Sequence, residues 1–280
     1  MKLREFIIPD DLRSARSALK KLGGEGLAMA GGTSLHFMGD NVKTAVDISR
    51  LGLSGIKKKN GAFLIGATST LDELAKFKAP GWALGLAARR TSTQQIRNIS
   101  TLGGNIVRVF PWADFPVALL ALDATMHIAG KKERAVKADE FFEAQPARLF
   151  KAGDLLLRVE TPALKKGQGF GYVKQSRVEA AFSMMTAAAL LTVKGGRLQE
   201  VRVAVGAGVP FPRRLEGVEA ALKGQPADAA LFERAVEEGA AGVSWKGKEG
   251  MSDEYVAHLA CVTIVDALAA ALRQAKGGAS

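Results

Sequence analysis

Apolar residues at Leu12, Ala15, Leu19 and Leu22 follow Pro9-Asp10-Asp11 at a 3-4-3 spacing and stop at Gly23-Gly24. That pattern predicts an amphipathic helix with an acidic start and a glycine stop. Leu27–Ala30 is a short apolar run that predicts a strand, and further strands are expected at Ala45–Ile48 and Phe63–Ala67. Thr70-x-x-Glu73 has the form of a capping box and predicts a helix through Phe77. Residues 82–100 begin in a helical pattern (WALGLAARR) and turn polar before TLGGN at 101–105, and the apolar VALLALDA follows Pro111 and Pro116. Thr125–Ala129, a turn at Gly130-Lys131 and Ala135–Val136 predict a hairpin, and Leu155–Val159 alternates out to Thr161-Pro162.

Gly167-Gln168-Gly169 then reads as a linker. Beyond it, Ala187–Val193, a turn at Gly195-Gly196 and Leu198–Val205 predict a long hairpin, followed by helices over about 214–223, 228–239 and 252–275. Strands first and helices after are the pattern of an α+β module. The expected organisation is therefore two domains, 1–165 and 166–280.

Composition narrows the function. A chain of 280 residues that is 48% hydrophobic and 24% charged can bury two cores. The start MKLREFIIPDD has no signal-peptide pattern, and the apolar tract at 255–272 carries His258 and Asp266 and ends at Arg273, so no membrane span is expected. One cysteine, Cys261, allows no disulfide framework, fits a cytoplasmic protein, and falls short of the roughly four thiolates of an iron–sulfur cluster. The three histidines, His36, His127 and His258, lack paired-ligand spacing, so no metal site is expected in this chain. The net charge of +11 raises nucleic-acid binding, but Lys57-Lys58-Lys59, Lys131-Lys132 and Lys165-Lys166 lie beside turns, and aromatics make up only 6%.

Two Gly-Gly pairs dressed with hydroxyls remain: AMAGGTSL at 28–35 and TLGGN at 101–105. Glycine admits positive φ and close approach of main chain to a ligand, so such turns can aim several amides at one anion. The donors would be the amides of Gly31 to Ser34 with the Thr33 and Ser34 hydroxyls, and the amides of Leu102 to Asn105 with Thr101 and the Asn105 side chain. Each pair would equally suit an ordinary tight turn. G-x-G-x-x-G and the P-loop pattern are both absent, so a nucleotide site here is of neither type.

AMAGGTSL, IRNISTLGGNI, WADFPVALLALDA, GGRLQEVRVAVGAGVPFPRR and DEYVAHLACVTIVDAL, in that order, resemble the flavin-binding chain of the molybdenum hydroxylases. That group includes the medium subunits of xanthine dehydrogenase and aerobic carbon monoxide dehydrogenase; SWKG at 244–247 is slightly closer to the bacterial xanthine-dehydrogenase type. The resemblance implies a PCMH-type (vanillyl-alcohol-oxidase-like) FAD domain of two α+β subdomains, then an α+β C-terminal domain with an antiparallel sheet and helices. It implies non-covalent FAD held by Ala28, Met29, Ala30, Gly31, Gly32, Thr33, Ser34 and Leu35, and by Thr101, Leu102, Gly103, Gly104 and Asn105. It adds Asp114 and Thr91 as cofactor contacts and places Leu156 and Lys174 near the isoalloxazine ring. Without it, Asp114 would serve as a helix N-cap, Leu156 as core and Lys174 as an edge-strand lysine.

Where the family usually has an aspartate after Ser176-Arg177, this chain has Ala180 and Ala181, a departure that bears on NAD access. The implied partners are a large molybdopterin subunit and a small [2Fe–2S] subunit in a dimer of heterotrimers, with electrons passing through FAD to NAD, a quinone or another acceptor. A self-contained flavoenzyme of the same fold and a basic nucleic-acid-binding module are the alternatives.

Overall fold

A computed structural model describes residues 3–37, 41–247 and 250–277. Strand β1 (Glu5–Ile7) leads into helix α1 (Leu12–Leu22), which starts at the position its capping residues predict. The Asp11 carboxylate accepts from the Ser14 amide at 2.6 Å while the Ser14 hydroxyl accepts from the Asp11 amide at 3.1 Å, a reciprocal cap. Ala15 and Leu19 of α1 pack on Val46 and Ile48. Strands β2 (Gly26–Met29) and β3 (Thr44–Asp47) complete a small parallel sheet in the order β1-β3-β2.

A second subdomain follows. Strands β4 (Ile56–Lys59) and β5 (Ala62–Gly66) form a hairpin whose turn residues Asn60 and Gly61 sit at φ 51° and 77°, the two left-handed positions of a tight two-residue loop. The lysines of β4 flank that turn, on a solvated edge. Helix α2 (Leu71–Lys76) carries the expected capping box at Thr70 and Glu73. Residues 82–100 divide into α3 (Gly85–Arg90) and α4 (Gln94–Arg97), followed by α5 (Leu102–Ile106) and α6 (Phe115–Ala121). Strands β6 (Thr125–Ala129) and β7 (Glu133–Lys137), helix α7 (Ala138–Phe141) and strand β8 (Leu155–Pro162) complete it. The sheet has five strands in the order β4-β5-β8-β6-β7, all antiparallel. Its core joins Phe63, Ile65, Leu74, Phe115, Leu119 and Phe141.

The linker expectation at 167–169 is corrected by the structure. Gly167, at φ 79°, is a turn, but β9 (Gln168–Gln175) begins at the next residue. Gly169 and Gly171 serve packing: a Cβ on either would fall 1.9 and 2.0 Å from the Ala271 and Ala267 carbonyl oxygens of the helix that covers the strand. β9 pairs with β10 (Met185–Lys194), which pairs with β11 (Arg197–Gly206) and then β12 (Arg213–Arg214), all antiparallel. Helices α8 (Glu216–Leu222), α9 (Phe232–Gly239) and α10 (Asp253–Ala275) cover one face. By length and composition α10 could cross a membrane, but here Ala260, Ile264, Ala267, Leu268, Ala271 and Leu272 join the core beneath the sheet. Every residue of α6 is buried, and it packs against β10 and β11 of the second large sheet and against α3, α5 and α7.

Candidate functional site

The first Gly-Gly pair is a turn in the full sense. β2 ends at Met29, and the chain leaves the sheet with Gly32 at φ 68°. Gly31 is needed for space instead: a Cβ there would lie 1.7 Å from the Ile99 carbonyl oxygen. The missing side chain lets the approach to the second Gly-Gly pair lie directly against the first. Thr33 Oγ1 and Ser100 Oγ close the junction at 3.0 Å, across 67 residues of chain. Among the described residues, the amides of Gly31 to Ser34 donate no hydrogen bond.

The second pair is built differently from the expectation. TLGGN is not an open turn but the short helix α5, with the Thr101 hydroxyl accepting from the Gly104 amide. Its amides are already used: Leu102 donates to Ser69 O at 2.9 Å, Gly103 to Ala67 O at 2.8 Å and Asn105 to Thr101 O at 3.1 Å. What this loop offers a ligand is side chain and space. Asn105 Oδ1 is buried without a hydrogen-bond partner, and an added Cβ at Gly104 would meet only the Thr101 hydroxyl, at 3.0 Å.

Together the loops wall one cavity of about 510 Å3. All of Ala28 to Leu35 line it, with Thr91, Thr101, Gly104, Asn105, Asp114 and Lys174. Leu102, Gly103 and Leu156 are outside the lining, each for a packing reason. Leu102 is fully buried in the core, Gly103 lies against Ala67, and Leu156 sits in β8 opposite Ile128. The Thr91 hydroxyl bonds back to Ala87 O at 2.9 Å. The bend beside it, with Ser92 at φ 54°, is held by the Arg97 guanidinium, which donates to Thr91 O and Ser92 O.

Asp114 stands at the head of α6 but makes no side-chain cap. Its carboxylate instead accepts from Ser183 Oγ at 2.6 Å and Tyr172 Oη at 3.2 Å, and its other oxygen meets Lys174 Nζ at 3.4 Å. Both charged side chains are under a tenth exposed, where a charge persists only if paired and hydrogen-bonded. Burial, together with the neighbouring Asp114 charge, pushes the Tyr172 phenol well above its usual range and keeps it a donor.

Sequence reasoning missed the partners Tyr172 and Ser183, and also a row of rings. Phe37 lies 5.1 Å from Phe110, Phe110 stacks on Trp112 at 5.4 Å, and Trp112 stacks on Phe182 at 4.5 Å, all four lining the cavity. The cluster FPW at 110–112, in a chain otherwise poor in aromatics, was the available signal.

This arrangement suits an extended ligand with an anionic middle and planar ends: unspent amides and hydroxyls on one loop, an orphan amide oxygen and open space on the other, aromatic faces beside them. Residues 2–164 match the FAD binding domain in molybdopterin dehydrogenase, and residues 170–271 match the CO dehydrogenase flavoprotein C-terminal domain. The chain belongs to this family of FAD-binding oxidoreductase subunits. The carbon monoxide dehydrogenase medium chain of Hydrogenophaga pseudoflava is 27% identical over 230 residues, covering 79% of this chain and 80% of that one. The glyceraldehyde dehydrogenase medium chain of Sulfolobus acidocaldarius is 31% identical over 222 residues, covering 74% and 77%. A solved structure of the Hydrogenophaga pseudoflava carbon monoxide dehydrogenase, in a form lacking the Mo-pyranopterin moiety of its molybdenum cofactor, superposes with a TM-score of 0.90 at 26% identity, covering 97% of each chain.

Proposed function

We propose that this chain is the electron-carrying flavin subunit of a cytoplasmic molybdenum hydroxylase complex. A large partner chain holds the molybdopterin centre where substrate is hydroxylated, and a small partner chain holds [2Fe–2S] clusters, the three assembling as a dimer of heterotrimers. The clusters would supply electrons singly, and NAD, a quinone or another acceptor would take them in pairs. FAD, when bound, supplies the conversion between one- and two-electron chemistry, while the protein supplies position and electrostatics.

The single observation that carries this reading is the meeting of two distant glycine loops over one cavity, with the buried Asn105 Oδ1 left unpartnered there. The amides of Gly31 to Ser34, the Thr33 and Ser34 hydroxyls and the Asn105 amide hold the pyrophosphate and ribityl portion. Gly104 lets that portion approach the backbone. Lys174, on the cavity wall, would stand near the ring and would balance negative charge developing on it. Asp114 fixes Lys174. Ala180 and Ala181 put methyl groups on the cavity wall where the family usually has a carboxylate, a change that would bear on access of the acceptor.

Co-expression with the two partner chains tests the assignment. Substrate is expected to bleach the flavin absorbance of the assembled complex and to leave the isolated chain oxidised. Turnover of a reductant by the isolated chain would instead establish a self-contained flavoenzyme, and a colourless purified chain would reopen the nucleic-acid alternative. Mixing the reduced complex with NAD and with a soluble quinone in turn identifies the acceptor.

A further inference from the structure

Asp114 belongs to the first half of the site, yet its carboxylate is met by side chains from the second: Tyr172 and Lys174 on β9, and Ser183 just before β10. The contacts are divided by oxygen. Oδ1 accepts both hydroxyls, at 2.6 and 3.2 Å, while Oδ2 faces the ammonium at 3.4 Å. That ion contact is longer than the roughly 2.8 Å of a well-formed charged hydrogen bond. The ammonium also donates to Arg90 O at 3.1 Å. An ammonium has three donors, and Lys174 lines the cavity, whereas Ser183 and Tyr172 do not.

We infer that Ser183 and Tyr172 are positioning residues that set how much of the Lys174 charge reaches the cavity. Two hydroxyl donors draw the carboxylate's negative charge toward Oδ1, so Oδ2 competes less for the ammonium. Lys174 therefore keeps charge for the ligand in place of closing into a tight neutral pair. Ser183 is 2% exposed, so no bulk water replaces its hydroxyl when it is removed. The inference rests on the reading that the flavin ring lies beside Lys174.

The test is the flavin reduction potential of the FAD-loaded complex, measured by spectroelectrochemistry beside the dissociation constant of oxidised FAD. Ser183→Ala and Tyr172→Phe are each expected to weaken the preference for reduced over oxidised flavin by about tenfold, a fall of about 30 mV for a two-electron couple. Ser183→Thr, which keeps the hydroxyl, is expected to hold the wild-type value. Asp114→Asn is expected to move the potential the other way, because it removes the opposing charge. A merely structural role would change affinity and thermal stability without this reversal of sign. Potentials for Ser183→Ala and Tyr172→Phe equal to wild type, or shifted in the direction of Asp114→Asn, would overturn the inference. Lys174→Gln separates the two levels: an unchanged potential there overturns the underlying placement of the ring. A lowered one leaves that placement standing, so the Ser183→Ala and Tyr172→Phe potentials alone decide whether the two hydroxyls act as inferred.

Discussion

The two glycine loops look alike as sequence and work by opposite means. In AMAGGTSL the backbone is unusual and, among the described residues, the amides of Gly31 to Ser34 are unspent: Gly32 takes a left-handed φ, and Gly31 gives up its side chain so another loop can pass. In TLGGN the backbone is an ordinary helical turn whose amides are consumed by Ser69, Ala67 and Thr101. There Gly104 keeps volume empty and Gly103 admits the backbone of Ala67. A Gly-Gly pair therefore does not announce an anion nest; its hydrogen-bond accounting decides which job it has.

Substitutions can break this contrast. The largest effect is expected from Gly31→Val, whose Cβ would collide with the Ile99 carbonyl oxygen. Overpacking against rigid backbone should cost about 3 kcal/mol or more, seen as a lowered denaturation midpoint together with loss of the flavin spectrum. Gly104→Val should separate the two properties: FAD affinity falls by at least about tenfold, roughly 1.4 kcal/mol, while stability without cofactor stays within about 1 kcal/mol. Equilibrium dialysis with FAD, beside urea unfolding of the stripped chain, reads both. Thr101→Ala removes the cap of α5 and should cost about 1 kcal/mol, a drop of roughly 2–4 °C in Tm. The smallest effect sharpens the picture most. Asn105→Leu removes a buried oxygen that has no protein partner, so the cofactor-free chain should gain up to about 1 kcal/mol while FAD binding weakens by a similar amount. Calorimetry with and without FAD would show the two signs, and a loss of stability in both states would count against the orphan-oxygen reading.

Much of the fold was legible because local rules agreed with tertiary ones. The Asp11 cap, the Thr70 and Glu73 box, the Asn60-Gly61 turn and the long β10–β11 hairpin all follow from short-range chemistry. β9 was not legible at its start, since Gly169 and Gly171 read as flexibility when their purpose is to admit α10. The same limit applies to the site. Gly31 to Ser34 could be read from spacing as candidate donors, as could Asn105, while Ala28 to Ala30 and Leu35 came with the family resemblance. The family resemblance brought in Asp114 and Lys174, but nothing local tells which hydroxyls reach Asp114 from 58 and 69 residues away. Leu156 shows the converse: a residue carried over by resemblance whose place here is the interior of a sheet.

Helix α10 seats its carbonyls against the glycines of β9, and β9 carries Lys174 to the cavity wall and Tyr172 to Asp114 behind it. A segment synthesised late thus braces a wall of a chamber whose floor was made early. A nascent chain cannot finish that chamber until α10 has left the ribosome, so colour should arrive late in biogenesis. Truncations within 253–275 should yield pale protein even though no residue of that stretch lines the chamber.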